Sequence, residues 1–334
     1  MYDKQGRRRV GPPLRFGTGI FWHMLRHGGR YDAVHTDVFP YFSVIGIWAA
    51  LRLRSLFQGR RARARLVVDW FELWTRDYWT RYLGAVRGRI GHAVQRLCTR
   101  LPDQSIVFSE LHERRMGEQG HSAPLQRLTG IFSGSSDGAD PTRARDPVVV
   151  FAGRHIAEKQ VTAIPAAIAV ARKNIPKLRC AIYGDGPERE RVLELVHQLG
   201  LGDAVELPGF VGAEQVAAAI DAAACLVLPS VREGYGLVVV EAVSRGTPAV
   251  VVAGPDNAAA ELVEDGVNGF VAPGIDSASL AQALSKAVEG GEQLRRSTLD
   301  WYERHAQRLS LDGALNAVAA AYGARSADEF QALR

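Results

Sequence analysis

The sequence predicts an α/β protein built from two domains, each with a parallel sheet covered by helices. Its 334 residues are too many for a single domain with one hydrophobic core, and they suit two domains of roughly 150 residues each. Short β-branched runs alternate with helical stretches along the chain, which is typical of parallel sheets. A polar stretch rich in Gly, Ser and Asp at 130–146 has the composition of a linker. We therefore expect domains at 1–146 and 147–300, and C-terminal helices at 301–334 that could return across the first domain.

Strands are predicted where apolar, β-branched runs are short and bounded by turn residues. In the first half these runs are Asp32–Thr36, Arg65–Asp69 and Ser105–Ser109. Helices are expected near Pro40–Arg54 and Asp77–Arg100. In the second half the runs are Val148–Ala152, Arg179–Tyr183, Ala204–Leu207, Cys225–Leu228 and Ala249–Ala253. A helix is expected at Gln293–Ala321, with Trp301 and Tyr302 as aromatic anchors.

The composition excludes several classes of protein. With 47% apolar and 23% charged residues, the chain has the balance of a soluble globular protein rather than a disordered or fibrous one. Three scattered cysteines are too few for a disulfide framework, which favours a reducing cytoplasm. The start of the chain is polar and lacks a signal-peptide pattern. The longest apolar run, Val38–Leu51, has 14 residues. A bilayer span needs about 20, so no membrane crossing is expected.

Charge is distributed unevenly between the two halves. Residues 1–146 carry 24 Lys and Arg against 13 Asp and Glu, whereas residues 147–334 carry 17 against 23. The basic half is expected to meet an anionic partner. Nucleic acid is not favoured, because no recognition motif accompanies the basic residues. Peripheral contact with an anionic membrane at its inner face, or a phosphorylated acceptor, fits better; a solvated basic surface remains the alternative. The densest basic stretch contains Arg52, Arg54, Arg60, Arg61, Arg63 and Arg65.

The first motif with chemical content follows the first predicted strand of the second half. The run F-A-G-R-H-I-A-E-K-Q ends a strand at Gly153 and then supplies Arg154 and Lys159. Ligands of open α/β sheets bind at the carboxyl ends of strands, so two cations there can hold a phosphate group. Taken alone, the two residues are better explained as surface cations on a loop. A second run, Y-G-D-G-P-E, contains Gly184 and predicts a tight turn.

The third motif, L-P-S-V-R-E-G-Y-G-L-V-V-V-E, begins at Leu228. A loop carries Glu233, and Gly234, Tyr235 and Gly236 lead into a helix that starts near Leu237. Amide groups at a helix start attract anions. Glu241 lies eight residues after Glu233, which is about 12 Å along a helix and roughly on the same side. Two carboxylates flanking a phosphate site match a nucleotide-sugar.

Together these runs resemble the donor-binding domain of GT-B glycosyltransferases, and specifically the retaining glycosyltransferase family 4. Five landmarks occur in order: G-R-x4-K, G-D-G-P, E-x7-E, G-T-P-A-V (Gly246–Val250) and E-L-V-E-D-G-V-N-G-F-V (Glu261–Val271). The resemblance implies two Rossmann-like domains facing a cleft. It assigns Arg154 and Lys159 to the donor diphosphate, Glu241 to the ribose and Glu233 to the transferred sugar. It also implies retention at the anomeric carbon and no metal or other cofactor, since the cations and the helix start would stabilise the departing diphosphate.

The same resemblance extends the catalytic and binding sets. Catalytic roles fall to Glu233, Arg154 and Lys159. The donor-binding set is Gly153, Arg154, Lys159, Gly184, Gly234, Tyr235, Gly236, Leu237 and Glu241.

The first half resembles the acceptor domain of that family, with two departures. The resemblance rests on Y-D-A-V-H-T-D, V-V-D-W-F-E-L-W and the segment around Phe108. A first strand with its glycine-rich loop is not recognised, so the N-terminal domain is expected to be incomplete. Phe71 occupies the position where relatives often have a histidine that bonds the donor sugar. On the acceptor side we single out His35 and Glu72; a structural role is the alternative for each.

The sequence thus predicts a cytoplasmic transferase of polysaccharide biosynthesis. It would move a hexose from a nucleotide-diphosphate sugar to a polysaccharide, glycolipid or similar acceptor, so its partners are that donor and a carbohydrate or lipid-linked acceptor. A degenerate protein that only binds nucleotide-sugars is one alternative, and a GT-B epimerase is a lesser one.

Overall fold

A computed structural model of the chain describes residues 11–58, 64–143 and 145–322. The chain divides into two compact units, Met1–Leu128 and Thr129–Arg334. Each unit has a parallel sheet with helices in the connections, which confirms the predicted α/β class. The division falls at the start of the predicted linker rather than at 146. Phe132, just after this boundary, forms a backbone bridge with Ser310. This bridge joins the start of the predicted linker to the second unit.

The first unit contains a four-stranded parallel sheet in the order β1-β2-β3-β4. Its strands are β1 (Ala33–Asp37), β2 (Arg65–Trp70), β3 (Gln104–Val107) and β4 (Leu125–Arg127). Its helices are α1 (Gly11–His27), α2 (Tyr41–Gln58), α3 (Arg76–Leu83), α4 (Ala85–Cys98) and α5 (Glu110–Glu118). The three predicted strands are present within one or two residues at each end, and β4 was not predicted. Leu66, Val68 and Trp70 of β2 are fully buried in its core. Among the described residues, no helix combines the length and apolar character that a bilayer-crossing segment requires.

The helix predicted at Asp77–Arg100 is wrong as a single element. It consists of α3 and α4, which are separated at Gly84. Gly84 has φ +84° and ψ 167°, a conformation that residues with a Cβ rarely adopt, so the helix ends there and a second one begins. Thr75 caps the start of α3 by accepting a hydrogen bond from the Tyr78 amide.

The second unit contains a six-stranded parallel sheet in the order β12-β10-β8-β5-β6-β7. Its strands are β5 (Val148–Ala152), β6 (Arg179–Tyr183), β7 (Val205–Gly209), β8 (Cys225–Leu228), β10 (Ala249–Val252) and β12 (Gly269–Ala272). A separate pair is formed by β9 (Arg232–Glu233) and β11 (Asp256–Asn257). The strand order reverses between β5 and β8. In such sheets the crevice at a reversal, beside the carboxyl ends of the strands, is the usual ligand site.

The described part of the second unit also contains seven α-helices. They are α6 (Ile164–Ala171), α7 (Arg189–Gln198), α8 (Ala213–Ala222), α9 (Leu237–Val243), α10 (Ser277–Glu289), α11 (Gly291–Leu309) and α12 (Leu311–Ala321). The continuous helix predicted at Gln293–Ala321 is interrupted at Ser310, whose extended backbone ends α11. Trp301 and Tyr302 are buried, as expected of anchors. The return of these helices across the first domain stays a prediction.

Candidate functional site

The candidate site lies where the sheet of the second unit reverses its strand order. The loop after β5 carries Arg154 and a short 3-10 turn, Ala157–Lys159. The loop after β8 carries Ser230 and the two-residue strand β9. Because β5 and β8 are neighbours, these loops emerge side by side. The structure thus brings two of the predicted motifs to one edge.

Lys159 and Glu233 are in direct contact at this edge of the sheet. The Lys159 ammonium donates to Glu233 Oε2, and the two side chains are 18% and 15% exposed. Ser230 Oγ donates to the same carboxylate oxygen at 3.2 Å. A half-buried ion pair with a third polar partner is held in a defined geometry yet remains accessible to a ligand.

A second set of contacts holds together the two loops that carry Lys159 and Glu233. The Val231 amide donates to the Glu158 carbonyl at 3.0 Å, and Arg232 and Glu158 form an ion pair at 3.7 Å. Glu233 also lies opposite Asn257 in the β9–β11 pairing. The 3-10 turn and β9 are therefore joined through both backbone and side chains.

The G-D-G-P loop runs alongside the loop that carries Arg154. The His155 amide donates to the Asp185 carbonyl at 2.8 Å, and the Glu188 amide donates to the His155 carbonyl at 2.9 Å. His155 itself is fully buried, and burial lowers the pKa of its imidazole. Arg154 is exposed, and its guanidinium forms no ion pair or hydrogen bond with another described residue. Its guanidinium is thus available to an anion.

Gln160, directly after Lys159, has a left-handed backbone with φ 49° and ψ 35°. Left-handed residues with a Cβ are strained, most of all when they are β-branched. We expect Gln160→Val to lower the free energy of unfolding by about 1–2 kcal/mol. Gln160→Gly is the matched control and should be more stable than Gln160→Val, because both variants lose the side-chain bond to the Ala157 carbonyl but glycine adopts this conformation without strain. Urea unfolding of both variants tests this; equal stability of the two would contradict it.

The segment after Glu233 differs from the sequence-based geometry. Glu233 is on strand β9, so the argument that it shares a helix face with Glu241 is wrong. Helix α9 has only seven residues, and its dipole therefore contributes little to anion binding. Gly234 and Gly236 are buried, whereas Leu237 at the helix start is exposed.

The side chain of Tyr235 has a structural role. The ring is buried, and its hydroxyl donates to the Thr129 carbonyl. Burial also raises the pKa of this phenol. Its hydroxyl is therefore already bonded, and donor binding by Tyr235 stays a prediction that concerns its backbone amide.

Glu241 lies on α9 and is half-buried. Burial raises the pKa of its carboxyl group, and Arg245, one turn later, opposes that effect. Its side chain accepts no hydrogen bond from another described residue. A carboxylate that has lost water on burial is stabilised when the hydroxyl groups of a ligand donate hydrogen bonds to it.

The first unit has its own polar cluster at the carboxyl ends of β1 and β2. His35 Nε2 and Asp69 Oδ1 are 2.6 Å apart. The Trp74 indole donates to Glu72 Oε2 at 2.8 Å, so the structural alternative considered for Glu72 has a physical basis. Phe71 stacks on Phe108 with ring centroids 4.1 Å apart and is 38% exposed. This end of the sheet thus offers an imidazole, carboxylates and an open aromatic face.

Two contributors to the site in the second unit were not predicted from the sequence. Ser230 bonds the Glu233 carboxylate, and the Arg232–Glu158 pair secures the adjoining backbone. Ser230 is part of the L-P-S run, but a serine at a strand end is too common to indicate a role on its own. The Arg232–Glu158 pair joins residues far apart in the chain, so no local pattern could have revealed it.

Comparisons with known proteins bear on the family and the fold. Residues 137–300 match the family described as glycosyl transferases group 1. An exopolysaccharide phosphotransferase of Streptomyces coelicolor is 34% identical over 201 residues, covering 58% of this chain and 20% of that protein. Alpha-D-kanosaminyltransferase of Streptomyces kanamyceticus is 31% identical over 176 residues, covering 53% of this chain and 45% of that protein. The chain thus spans less than half the length of these curated relatives.

Among solved structures, Anabaena HepE in complex with UDP superimposes with a TM-score of 0.74 at 18% identity, covering 91% of this chain and 81% of that chain. At this identity the likeness concerns the fold. Residues 137–300 are thus similar to the glycosyl transferases group 1 family, and the chain has the fold of GT-B glycosyltransferases.

Proposed function

We propose that this chain transfers a hexose from a nucleotide-diphosphate sugar to a polysaccharide, glycolipid or similar acceptor, with retention of the anomeric configuration. The observation that carries the proposal is the contact between Lys159 and Glu233 at the strand-order reversal. It combines a cation suited to a diphosphate with a carboxylate suited to sugar hydroxyls. Two comparisons also support the proposal: one relative is named as a kanosaminyltransferase, and the HepE structure is a complex with UDP.

On the donor side, each side chain takes the role that its environment suits. The exposed Arg154 and the tethered Lys159 bind the diphosphate, and the half-buried Glu241 accepts hydrogen bonds from ribose hydroxyls. Glu233 accepts from hydroxyls of the sugar. Gly153 and Gly184, together with the segment Gly234–Leu237, supply the close backbone approach.

In the proposed reaction, the bond between the anomeric carbon and the diphosphate oxygen breaks, and its electron pair leaves with the diphosphate. Arg154 and Lys159 stabilise the charge that develops there, which assigns to side chains the role that a metal ion has in other transferases. The acceptor hydroxyl oxygen bonds to the same face of the carbon, and its proton passes to the departing diphosphate. This route needs no protein nucleophile.

For the acceptor, we propose the cluster at the ends of β1 and β2. The pair of His35 and Asp69 can exchange hydrogen bonds with sugar hydroxyls, and the open face of Phe71 can stack on a pyranose ring. Glu72, next to Phe71 in the chain, contributes a carboxylate that the Trp74 indole orients. A cytoplasmic location is consistent with three buried free cysteines, Cys98, Cys180 and Cys225.

The proposal is tested by incubating the chain with UDP-, GDP-, ADP- and dTDP-hexoses and measuring the released nucleotide, with and without oligosaccharide and lipid-linked acceptors. We expect acceptor-dependent release with one of these donors. Binding of a donor without release under any acceptor would instead favour the degenerate nucleotide-sugar-binding protein.

Lys159→Ala is expected to weaken binding of the matching nucleoside diphosphate by about tenfold or more, because one charge-assisted contact to phosphate is lost. Calorimetric titration with the nucleoside diphosphate measures this. Lys173→Ala removes an exposed lysine of the same unit and is the control; its affinity should stay at the wild-type value. Equal affinities of the two variants would contradict the assignment of Lys159 to the diphosphate.

A further inference from the structure

Two stretches of the first unit carry positive charge and no acidic residue. Residues 4–31 and 38–68 contain 13 Lys and Arg and no Asp or Glu. A helix whose sequence comes from such a segment has no counter-charge of its own and attracts anions at long range. Helices α1 and α2 come from these two segments.

Apolar side chains are exposed on the same two helices. Leu56 and Phe57, in the last turn of α2, are 78% and 84% exposed, and Leu53 one turn earlier is also exposed. On α1, Trp22 is half exposed. Consecutive apolar residues left this open in a folded chain mark a surface that meets another apolar phase.

The carboxyl ends of the two helices lie next to each other. Arg54 Nη1 donates to the Leu25 carbonyl at 2.6 Å, which ties the last turns of α1 and α2 together. Arg26 lies over the Trp22 ring at 5.7 Å from its centroid, and Arg52 is exposed beside Leu53. We call this surface the α1–α2 tip: Trp22, Arg26, Arg52, Leu53, Leu56 and Phe57.

We propose that the α1–α2 tip docks on an anionic phospholipid surface. Leu53, Leu56 and Phe57 enter the boundary between headgroups and acyl chains, and Arg26 and Arg52 bind lipid phosphates. Trp22 has the amphipathic ring that favours this interface. A nucleic acid would satisfy the arginines, but its phosphate surface offers no apolar phase for Leu56 and Phe57. The combination therefore favours lipid.

Co-sedimentation of the full chain with vesicles tests this proposal and requires no nucleotide-sugar, so it is independent of the proposed transfer. Vesicles of phosphatidylcholine alone are compared with vesicles that also contain phosphatidylglycerol. We expect binding to the anionic vesicles only, and weaker binding as salt is raised.

Two double variants separate the apolar and the charged contributions. Leu56→Ser with Phe57→Ser should reduce the partition coefficient by about tenfold or more, since two apolar side chains no longer enter the interface. Arg26→Gln with Arg52→Gln should reduce it by about tenfold, from the loss of two charges near the surface. Matched controls in the second unit are Phe210→Ser, at an 88% exposed residue, and Arg191→Gln with Arg304→Gln at exposed arginines. These controls should bind like the wild type.

Thermal melts of all variants check that folding is unchanged, as expected for exposed positions. Equal binding to both kinds of vesicle, or wild-type binding by the Leu56→Ser, Phe57→Ser variant, would overturn the proposal. So would binding of a fluorescent single-stranded oligonucleotide in preference to anionic vesicles, since that result assigns the tip to nucleic acid.

Discussion

Replacing Glu233 with glutamine is expected to lower sugar transfer by about a hundredfold or more while leaving binding of the nucleoside diphosphate intact. The carboxylate accepts from Lys159 and Ser230 in the structure, so it is already aligned within the loop after β8. Glutamine preserves the shape of the side chain but removes its charge. Interactions with the sugar that strengthen as positive charge develops at the anomeric carbon are therefore lost.

The same contact explains why nucleotide affinity should not fall. In the structure Lys159 is bound to Glu233, so a diphosphate that recruits this ammonium must compete with the carboxylate. The neutral amide competes less well, and we expect the affinity of Glu233→Gln for the nucleoside diphosphate to be unchanged or several-fold higher.

Single-turnover transfer and calorimetric titration together measure the two effects. Glu214→Gln is the matched control, because Glu214 is an exposed carboxylate on α8 of the same unit and is not among the residues of the candidate site. We expect its transfer rate to remain near the wild-type value. Wild-type transfer by Glu233→Gln, or a loss of nucleotide affinity as large as that of Lys159→Ala, would remove Glu233 from the proposed role.

Much of the second unit could be predicted from its sequence because its sheet is buried on both faces. Strands of this kind are continuous apolar runs with sharp ends, and β5, β6 and β8 begin and end at the predicted residues. The breaks in helices were not predicted. Gly84 and Ser310 interrupt stretches that remain helical in composition on both sides, and single residues of this kind leave the periodicity intact.

The candidate site was predictable as a set of residues but not as a geometry. The motifs placed Lys159 and Glu233 after two strands, yet only the strand order makes those strands neighbours. The helical spacing assumed for Glu233 and Glu241 failed because β9 and the glycine-containing segment precede α9, and these depend on pairing with β11. Likewise, the buried hydroxyl bond of Tyr235 to Thr129 joins residues more than a hundred positions apart, beyond any local pattern.

Gly184→Ala is expected to lower the free energy of unfolding by about 3 kcal/mol or more. Gly184 has φ +114°, and a Cβ at this position would lie 1.9 Å from the Gly153 carbonyl oxygen. That oxygen belongs to the backbone at the end of β5, and the Gly184 amide is itself bonded to the Gly209 carbonyl at 2.8 Å. Neither side of the contact can move without breaking hydrogen bonds at the ends of adjoining strands.

The same substitution should also damage the donor site, because Gly153 directly precedes Arg154. We expect that refolded Gly184→Ala protein binds the nucleoside diphosphate at least tenfold more weakly at a temperature where it remains folded. Gly202→Ala is the matched control: its backbone is not left-handed, and a Cβ there meets no atom within 4 Å. Chemical denaturation should leave that variant within about 0.5 kcal/mol of the wild type. If Gly184→Ala were equally stable, the close approach of the two loops, and with it the rigid placement of Arg154, would be wrong.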